Sequence, residues 1–478
     1  MIKISNYING ELTPPANGQY IDLFDPSVGQ PYAKVPDADA ADVELAVAAG
    51  LKAFPAWAAT SINERSRILN RIADLIEESL EELAKAESVD NGKPVTLARA
   101  VDIPRSAANF RFFAQAITQF ATQAHEMTDA INYTLRQPLG VVGTISPWNL
   151  PLYLFTWKIA PALAAGNAVI AKPSEVTPMT AYLLSEICIK AGLPKGVLNI
   201  IHGDGIKVGA EITKHPKIKA ISFTGSTRVG QEIAKVAAPM FKKMSLEMGG
   251  KNPNLIFADC NYDKMLETTI RSSFANQGQI CLCGSRLYIE SSIYEKFKKD
   301  FVERVKALKV GPPADPATNI GALVSKPHYE KVLSYIELAK SEGGTILAGG
   351  EAVFPEGHEK GWYVSPTIIE GLPPNCRTNQ EEIFGPVVTI MPFDTDEEVL
   401  AYANGTNYGL ACTVWTENIT RANRIAKTIE SGIVWVNTWM LRDLRTPFGG
   451  VKSSGVGREG GFEALRFFTE AKNVCIQF

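Results

Sequence analysis

The chain is short of the residues that staple or metallate a fold. Its 478 residues include only seven cysteines and five histidines. Seven cysteines in so long a chain make no disulfide framework, so a reducing, cytoplasmic compartment is expected. His125, His202, His215, His328 and His358 are scattered, and Cys281 and Cys283 stand too close together for a zinc knuckle. No metal site is expected. Charge of one sign is scarce as well. A net charge of −3 lacks the basic field that nucleic acids or acidic membranes attract. No apolar run reaches the ~18 residues of a spanning helix. The first residues, Met1-Ile2-Lys3-Ile4-Ser5-Asn6, lack the apolar stretch of a signal peptide. Internal repeats and low-complexity tracts are absent too.

What is present is ordinary globular composition, 45% hydrophobic and 21% charged, in a chain too long for one core. Two or three domains are expected. Ile68, Leu69, Ile72, Leu75, Ile76, Leu80 and Leu83 recur at helical spacing and predict one long helix from Ile62 to Val89, ended by Asn91-Gly92-Lys93-Pro94. A second helix is expected from Ile103 to Phe120. From Gly140 short apolar runs at 140–145, 168–172, 197–201 and 220–223 alternate with helical stretches at 152–163, 177–190 and from Ser226. That alternation predicts an α/β fold with a buried parallel sheet, and it restarts after Gly249. Residues 121–137 read as polar and extended, and 472–478 as a strand.

Several segments carry chemistry. Cys281 stands between Gly278 and Gly284, which would let the backbone and a small substrate approach closely. A thiol that attacks carbon needs a base, and the carboxylate of Glu247, in Leu246-Glu247-Met248-Gly249-Gly250-Lys251, is a candidate, directly or through water. Phe223-Thr224-Gly225-Ser226-Thr227 ends a strand and opens a helix. It reads either as a phosphate site or as a plain Ser/Thr cap. Gly455-Val456-Gly457-Arg458-Glu459-Gly460 fits the dinucleotide pattern G-x-G-x-x-G, but too little chain follows for a βαβ unit; a flexible Gly-rich loop is the better account. Lys172 and Glu175 end another strand and are candidates for ribose hydroxyls, the carboxylate disfavouring a 2′-phosphate; a solvated charge pair is the alternative. Pro147-Trp148-Asn149-Leu150-Pro151 is a stiff turn. Asn149 there is either an oxyanion donor or a turn residue bonding its own backbone.

Together these segments resemble the aldehyde dehydrogenase superfamily, from about Asp25 to the C-terminus. The resemblance implies NAD as cofactor and assigns Cys281, rather than Cys283, as the nucleophile. It gives Glu247 the activation of water, and Asn149 with the Cys281 N–H the oxyanion. Pyrophosphate would bind at Gly225 and Ser226, with Trp148, Lys172, Ser174 and Glu175 in the cofactor set. In Glu381-Glu382-Ile383-Phe384-Gly385-Pro386, Glu382 would hold the nicotinamide ribose and Phe384 would pack near the ring. The implied architecture is a Rossmann-like NAD domain (1–121 and 138–248), a catalytic α/β domain (249–448) and a small bridging β segment (122–137 and 460–478) that makes a homodimer or homotetramer. The runs 101–110 and 435–450 look like the muconic semialdehyde branch, whose substrates, 2-hydroxymuconic and 2-aminomuconic 6-semialdehyde, carry a distal carboxylate. Arg105 and Arg442 match the arginines used for that end, and Arg445 is a third candidate. A broad-specificity aldehyde dehydrogenase and a non-catalytic relative with the same fold are the competing expectations.

Overall fold

A computed structural model describes residues 1–478. Its largest sheet has eight strands. Five run parallel in the spatial order Lys243–Glu247, Ile218–Thr224, Val141–Ile145, Ala168–Lys172, Leu198–Ile200. Gly455–Val456 closes one edge antiparallel, and the hairpin of Asn6–Ile8 and Glu11–Thr13 closes the other. The near-continuous apolar strands are buried on both faces. Val142, Val169 and Ala171 feed one core while Val141, Ala168 and Ile170 feed the other. The chain builds outward from Val141–Ile145 to one side, then crosses to the other for Ile218–Thr224 and Lys243–Glu247. The strand order therefore reverses beside Val141–Ile145, which opens a crevice at the carboxyl ends of the strands.

A second sheet of seven strands is drawn wholly from residues 252–436. Its order is Thr345–Ala348, Thr367–Glu370, Val387–Phe393, Gly284–Glu290, Asn252–Ile256, Ala411–Trp415, Ile433–Val436. All neighbours are parallel except the first pair. A small sheet joins Ala124–Glu126, Ala130–Pro138 and Thr469–Gln477, the last two paired antiparallel from Thr469 with Pro138 to Gln477 with Ala130. No single helix is long and apolar enough to cross a membrane.

Three expectations change. The helix over 62–89 is two helices, Ile62–Glu78 and Leu80–Asn91, parted at Ser79. The apolar period runs straight across the break, so periodicity alone does not reveal it. Serine competes for nearby backbone groups and tolerates the non-helical ψ of 17° found there. Gly92 caps the second helix at φ 83°, and a Cβ there would lie 2.6 Å from the Ala322 carbonyl oxygen. The 455–460 loop is pinned rather than flexible. Its first two residues extend the large sheet, Glu459 and Phe448 exchange both backbone hydrogen bonds at 2.7 Å, and Glu459 is buried. Within 460–478, Gly461–Phe467 is helical and packs on the helix Pro151–Ala164, and the strand begins only at Thr469.

Candidate active site

The carboxyl ends of the first sheet face the amino ends of the second. Trp148 and Asn149 follow Val141–Ile145, Ser174 and Glu175 follow Ala168–Lys172, and Gly225 and Ser226 follow Ile218–Thr224; Glu247 ends its own strand. From the other side, Cys281 precedes Gly284–Glu290, and Glu382 with Phe384 precedes Val387–Phe393. Cys281 lines two cavities. One also holds Glu247, Tyr153, Arg442 and Glu459 among apolar side chains. The other holds Glu382, Phe384 and Gly250.

Burial pushes the Cys281 thiol well above its usual range, and the Glu382 and Glu247 carboxyls add to the shift. Cys283 is buried, its thiol is pushed up to about 12, and its Sγ faces the Ala275 carbonyl at 4.0 Å. Both carboxylate oxygens of Glu247 are buried without a hydrogen-bond partner. Desolvation, and next the neighbouring Glu459, raise its pKa well above the carboxylate range, while Lys158, Arg458 and Arg442 oppose the shift. Lys158 Nζ holds Glu459 at 2.7 Å and Ser222 Oγ at 3.1 Å. Asn149 does not bond its own backbone. Its Nδ2 donates to the Gln279 carbonyl at 3.0 Å, and its carbonyl accepts from Lys93 Nζ at 3.1 Å and Asn276 Nδ2 at 2.9 Å. Asn276, Gln277 and Gly278, just before Cys281, all have positive φ. That conformation is strained for the first two and marks a loop held by its surroundings. The close approach at Gly278 is by backbone: a Cβ there would lie 2.1 Å from the Gly385 carbonyl oxygen. The glycine thus lets the 382–386 loop dock against the cysteine loop, the close backbone approach expected of it.

Lys172 Nζ pairs with Glu175 at 2.9 Å, the lysine buried and the carboxylate half-exposed. Ser226 caps the helix Thr227–Ala237 by accepting from the Val229 N–H, and the Gly225 N–H donates to the Glu247 carbonyl at 3.0 Å. Ser226 is thus the helix cap, which leaves the first N–H groups of that helix at the crevice, and the Gly225 N–H is engaged by the neighbouring strand. Ser174 Oγ accepts from the Val176 N–H. Glu382 accepts from the Gly250 N–H at 2.8 Å, and burial raises its pKa against the pull of Lys331 and Lys251. Phe384 meets Trp148 edge-on at 5.3 Å, and His328 packs on Trp148 at 5.0 Å.

The three arginines part company. Arg445 is exposed and pairs with Asp443, so the third substrate candidate becomes a surface ion pair. Arg105 lies with its guanidinium 5.9 Å from the Tyr153 ring. Arg442 is clasped between Trp157 and Phe448, 4.4 and 4.0 Å from the ring centroids, and donates from Nη1 to Tyr153 Oη at 2.7 Å. It has no acidic partner within 4 Å, and its buried Nη2 bonds nothing.

The family model for aldehyde dehydrogenases matches residues 13–474. This chain belongs to the aldehyde dehydrogenase family. It is 50% identical over its whole length to the mouse 2-aminomuconic semialdehyde dehydrogenase, covering 99% of that chain. It is 48% identical to the 2-hydroxymuconic semialdehyde dehydrogenase of Pseudomonas sp. strain CF600, with full coverage of both. An NAD+ complex of the Bacillus cereus aldehyde dehydrogenase superposes with a TM-score of 0.97 at 39% identity, over 100% of this chain and 97% of that one.

Sequence reasoning missed several groups that this aldehyde dehydrogenase gathers around the site. Tyr153 and Trp157, from the helical stretch 152–163, form with Phe448 the seat of Arg442. Lys93 and Asn91 appear only as a helix stop, but they hold the carbonyls of Asn149 and Trp148. His328, isolated in sequence, is half-buried, its pKa lowered to about 4 by desolvation, and bonded to the Phe384 carbonyl.

Proposed function

We propose that this aldehyde dehydrogenase uses NAD to oxidise a semialdehyde bearing a distal carboxylate, 2-hydroxymuconic or 2-aminomuconic 6-semialdehyde, to the corresponding acid. The observation that carries the reading is Arg442, a half-buried guanidinium with a buried, unbonded Nη2 and no acidic partner, on the cavity that also holds Cys281. A buried donor without an acceptor is costly, and a substrate carboxylate would satisfy it and pair with the guanidinium. The mouse and Pseudomonas relatives, named for these two substrates, support it.

Cys281 Sγ adds to the aldehyde carbon, and its proton passes to Glu247 or to water. The negative oxygen of the thiohemiacetal is held by Asn149 Nδ2 and the Cys281 N–H. NAD, held by Glu382, Phe384 and Trp148, would supply the acceptor for the hydride of that carbon, whose loss leaves a thioester on Cys281. Glu247 takes a proton from the water that attacks the thioester, releasing the acid and the free thiol. Glu382, Phe384 and Trp148 line the approach to Cys281 and suit the nicotinamide end, with Lys172, Ser174, Glu175, Gly225 and Ser226 at the strand ends for the rest. Glu175 would repel the 2′-phosphate of NADP. NAD is therefore preferred, and Glu175→Gln should narrow the kcat/KM ratio between the two cofactors. Arg105 joins Arg442 at the carboxylate end. The chain assembles as a homodimer or homotetramer through the small sheet. A cytoplasmic location belongs to the same reading, since all seven cysteines are free.

A broad-specificity dehydrogenase is the second reading, favoured by the apolar walls Leu150, Leu154, Leu282 and Met440. NADH formation from 2-hydroxymuconic semialdehyde, against a neutral aldehyde of similar length, separates the two. Arg442→Ala should cut kcat/KM on the carboxylate substrate roughly ten- to a hundredfold, with a smaller loss on the neutral one. Equal losses would favour the second reading.

A further inference from the structure

Tyr153 is buried near the start of the helix Pro151–Ala164, at a position that an apolar residue would fill. A hydroxyl there costs free energy unless it is bonded. Its oxygen accepts from Arg442 Nη1 at 2.7 Å, but its own proton has no acceptor in the protein. Arg442 Nη2, on the same guanidinium, is the second donor without a partner. Trp157 and Phe448 both lie against the guanidinium and Nη1 bonds the phenol oxygen, which keeps the O–H and the Nη2–H side by side. The carboxylates on this cavity answer neither donor. Glu247 bonds no group, and Glu459 is held by Lys158 and Ser222. Two adjacent free donors, on a cavity that opens to Cys281, suit an anion with two oxygens.

We propose that Tyr153 Oη is a direct ligand of the substrate's distal carboxylate, donating to one oxygen while Arg442 Nη2 donates to the other. This rests on the semialdehyde reading above and extends it to a second residue type. The rival role is a prop, in which Tyr153 only orients Arg442.

A mutant cycle decides between them. Tyr153→Phe, Arg442→Ala and the double variant are assayed on the carboxylate semialdehyde and on its neutral methyl ester. The phenylalanine keeps the ring that faces Arg105, and turnover of the ester reports folding. Tyr153→Phe is expected to raise KM for the carboxylate substrate about tenfold with a small change in kcat, and with a smaller loss on the ester. The selective loss should persist when Tyr153→Phe is added to Arg442→Ala. A selective loss that vanishes in the Arg442→Ala background would make Tyr153 a prop and overturn the proposal. No selective loss from Tyr153→Phe, with Arg442→Ala still selective, would overturn it and leave the functional reading standing. A wild-type enzyme indifferent to the carboxylate would overturn both.

Discussion

Cys281 and Cys283 share one loop, and only the first faces both cavities and Glu247. Cys281→Ala should abolish NADH formation and Cys283→Ala should retain it. Loss in the second variant alone, with folding intact, would move the nucleophile. Burial holds both the Cys281 thiol and the Glu247 carboxyl above their ordinary pKa values, and the proposed mechanism requires their deprotonated forms. Activity should therefore climb as pH rises past neutrality, not plateau above pH 5 as an ordinary carboxylate would allow. Glu247→Gln should give a rapid burst of NADH followed by a slow steady state in stopped-flow absorbance. Equal loss in both phases would count against its role in hydrolysis. The cysteine and glutamate were legible as motifs, because their chemistry is tied to short local patterns. Their electrostatics were not, because desolvation depends on what packs around them. The seat of Arg442 was hidden for a like reason: Tyr153 and Trp157 lie on one helix, whereas Phe448 comes from a loop far along the chain.

The loop that carries Asn149 hangs on a buried ion cluster between helices. Lys93 Nζ meets Asp102 at 2.8 Å and Glu87 at 3.8 Å, all fully buried, and also bonds the Asn149 carbonyl. Asp102 ends a π-helical turn, Ala98–Asp102, that leads directly into the helix bearing Arg105. Such turns often mark functional positions, and this one links the Asn149 loop to the helix that bears Arg105. Lys93→Met would leave two carboxyls without their cation, at a cost of about 3–5 kcal/mol in urea unfolding. Burial already raises Glu87 to about 7 and lifts Asp102 above its ordinary value. A raised carboxyl favours folding while protonated, so the variant should recover stability as pH falls and lose it as pH rises through neutrality. A flat pH dependence would exclude this cluster as the cause. Most helix and strand positions from 140 to 237 were legible because periodicity is local, though the helical stretch Gly205–Gly209 and Ala210–Lys214 was not foreseen. The break at Ser79 was not, since the apolar stripe passes through it unchanged.

At the scale of the whole molecule, the alternation of strands and helices announced two parallel sheets. The N-terminal hairpin on one edge and the return of Gly455–Val456 on the other depend on contacts distant in sequence, which no local pattern carries. The strand Thr469–Gln477 ends the small sheet with its outer edge open and Ile476 half-exposed. Ile476→Asp should shift the species seen by sedimentation velocity toward the monomer if this edge joins subunits. An unchanged mass would place the interface elsewhere. The opening of one sulfur onto two cavities has a practical consequence for inhibition. Alkylation of Cys281 should leave an adduct that faces both chambers and obstructs both. Occupancy of either chamber should slow the labelling, and a saturated cofactor side alone should leave a second, slower route open.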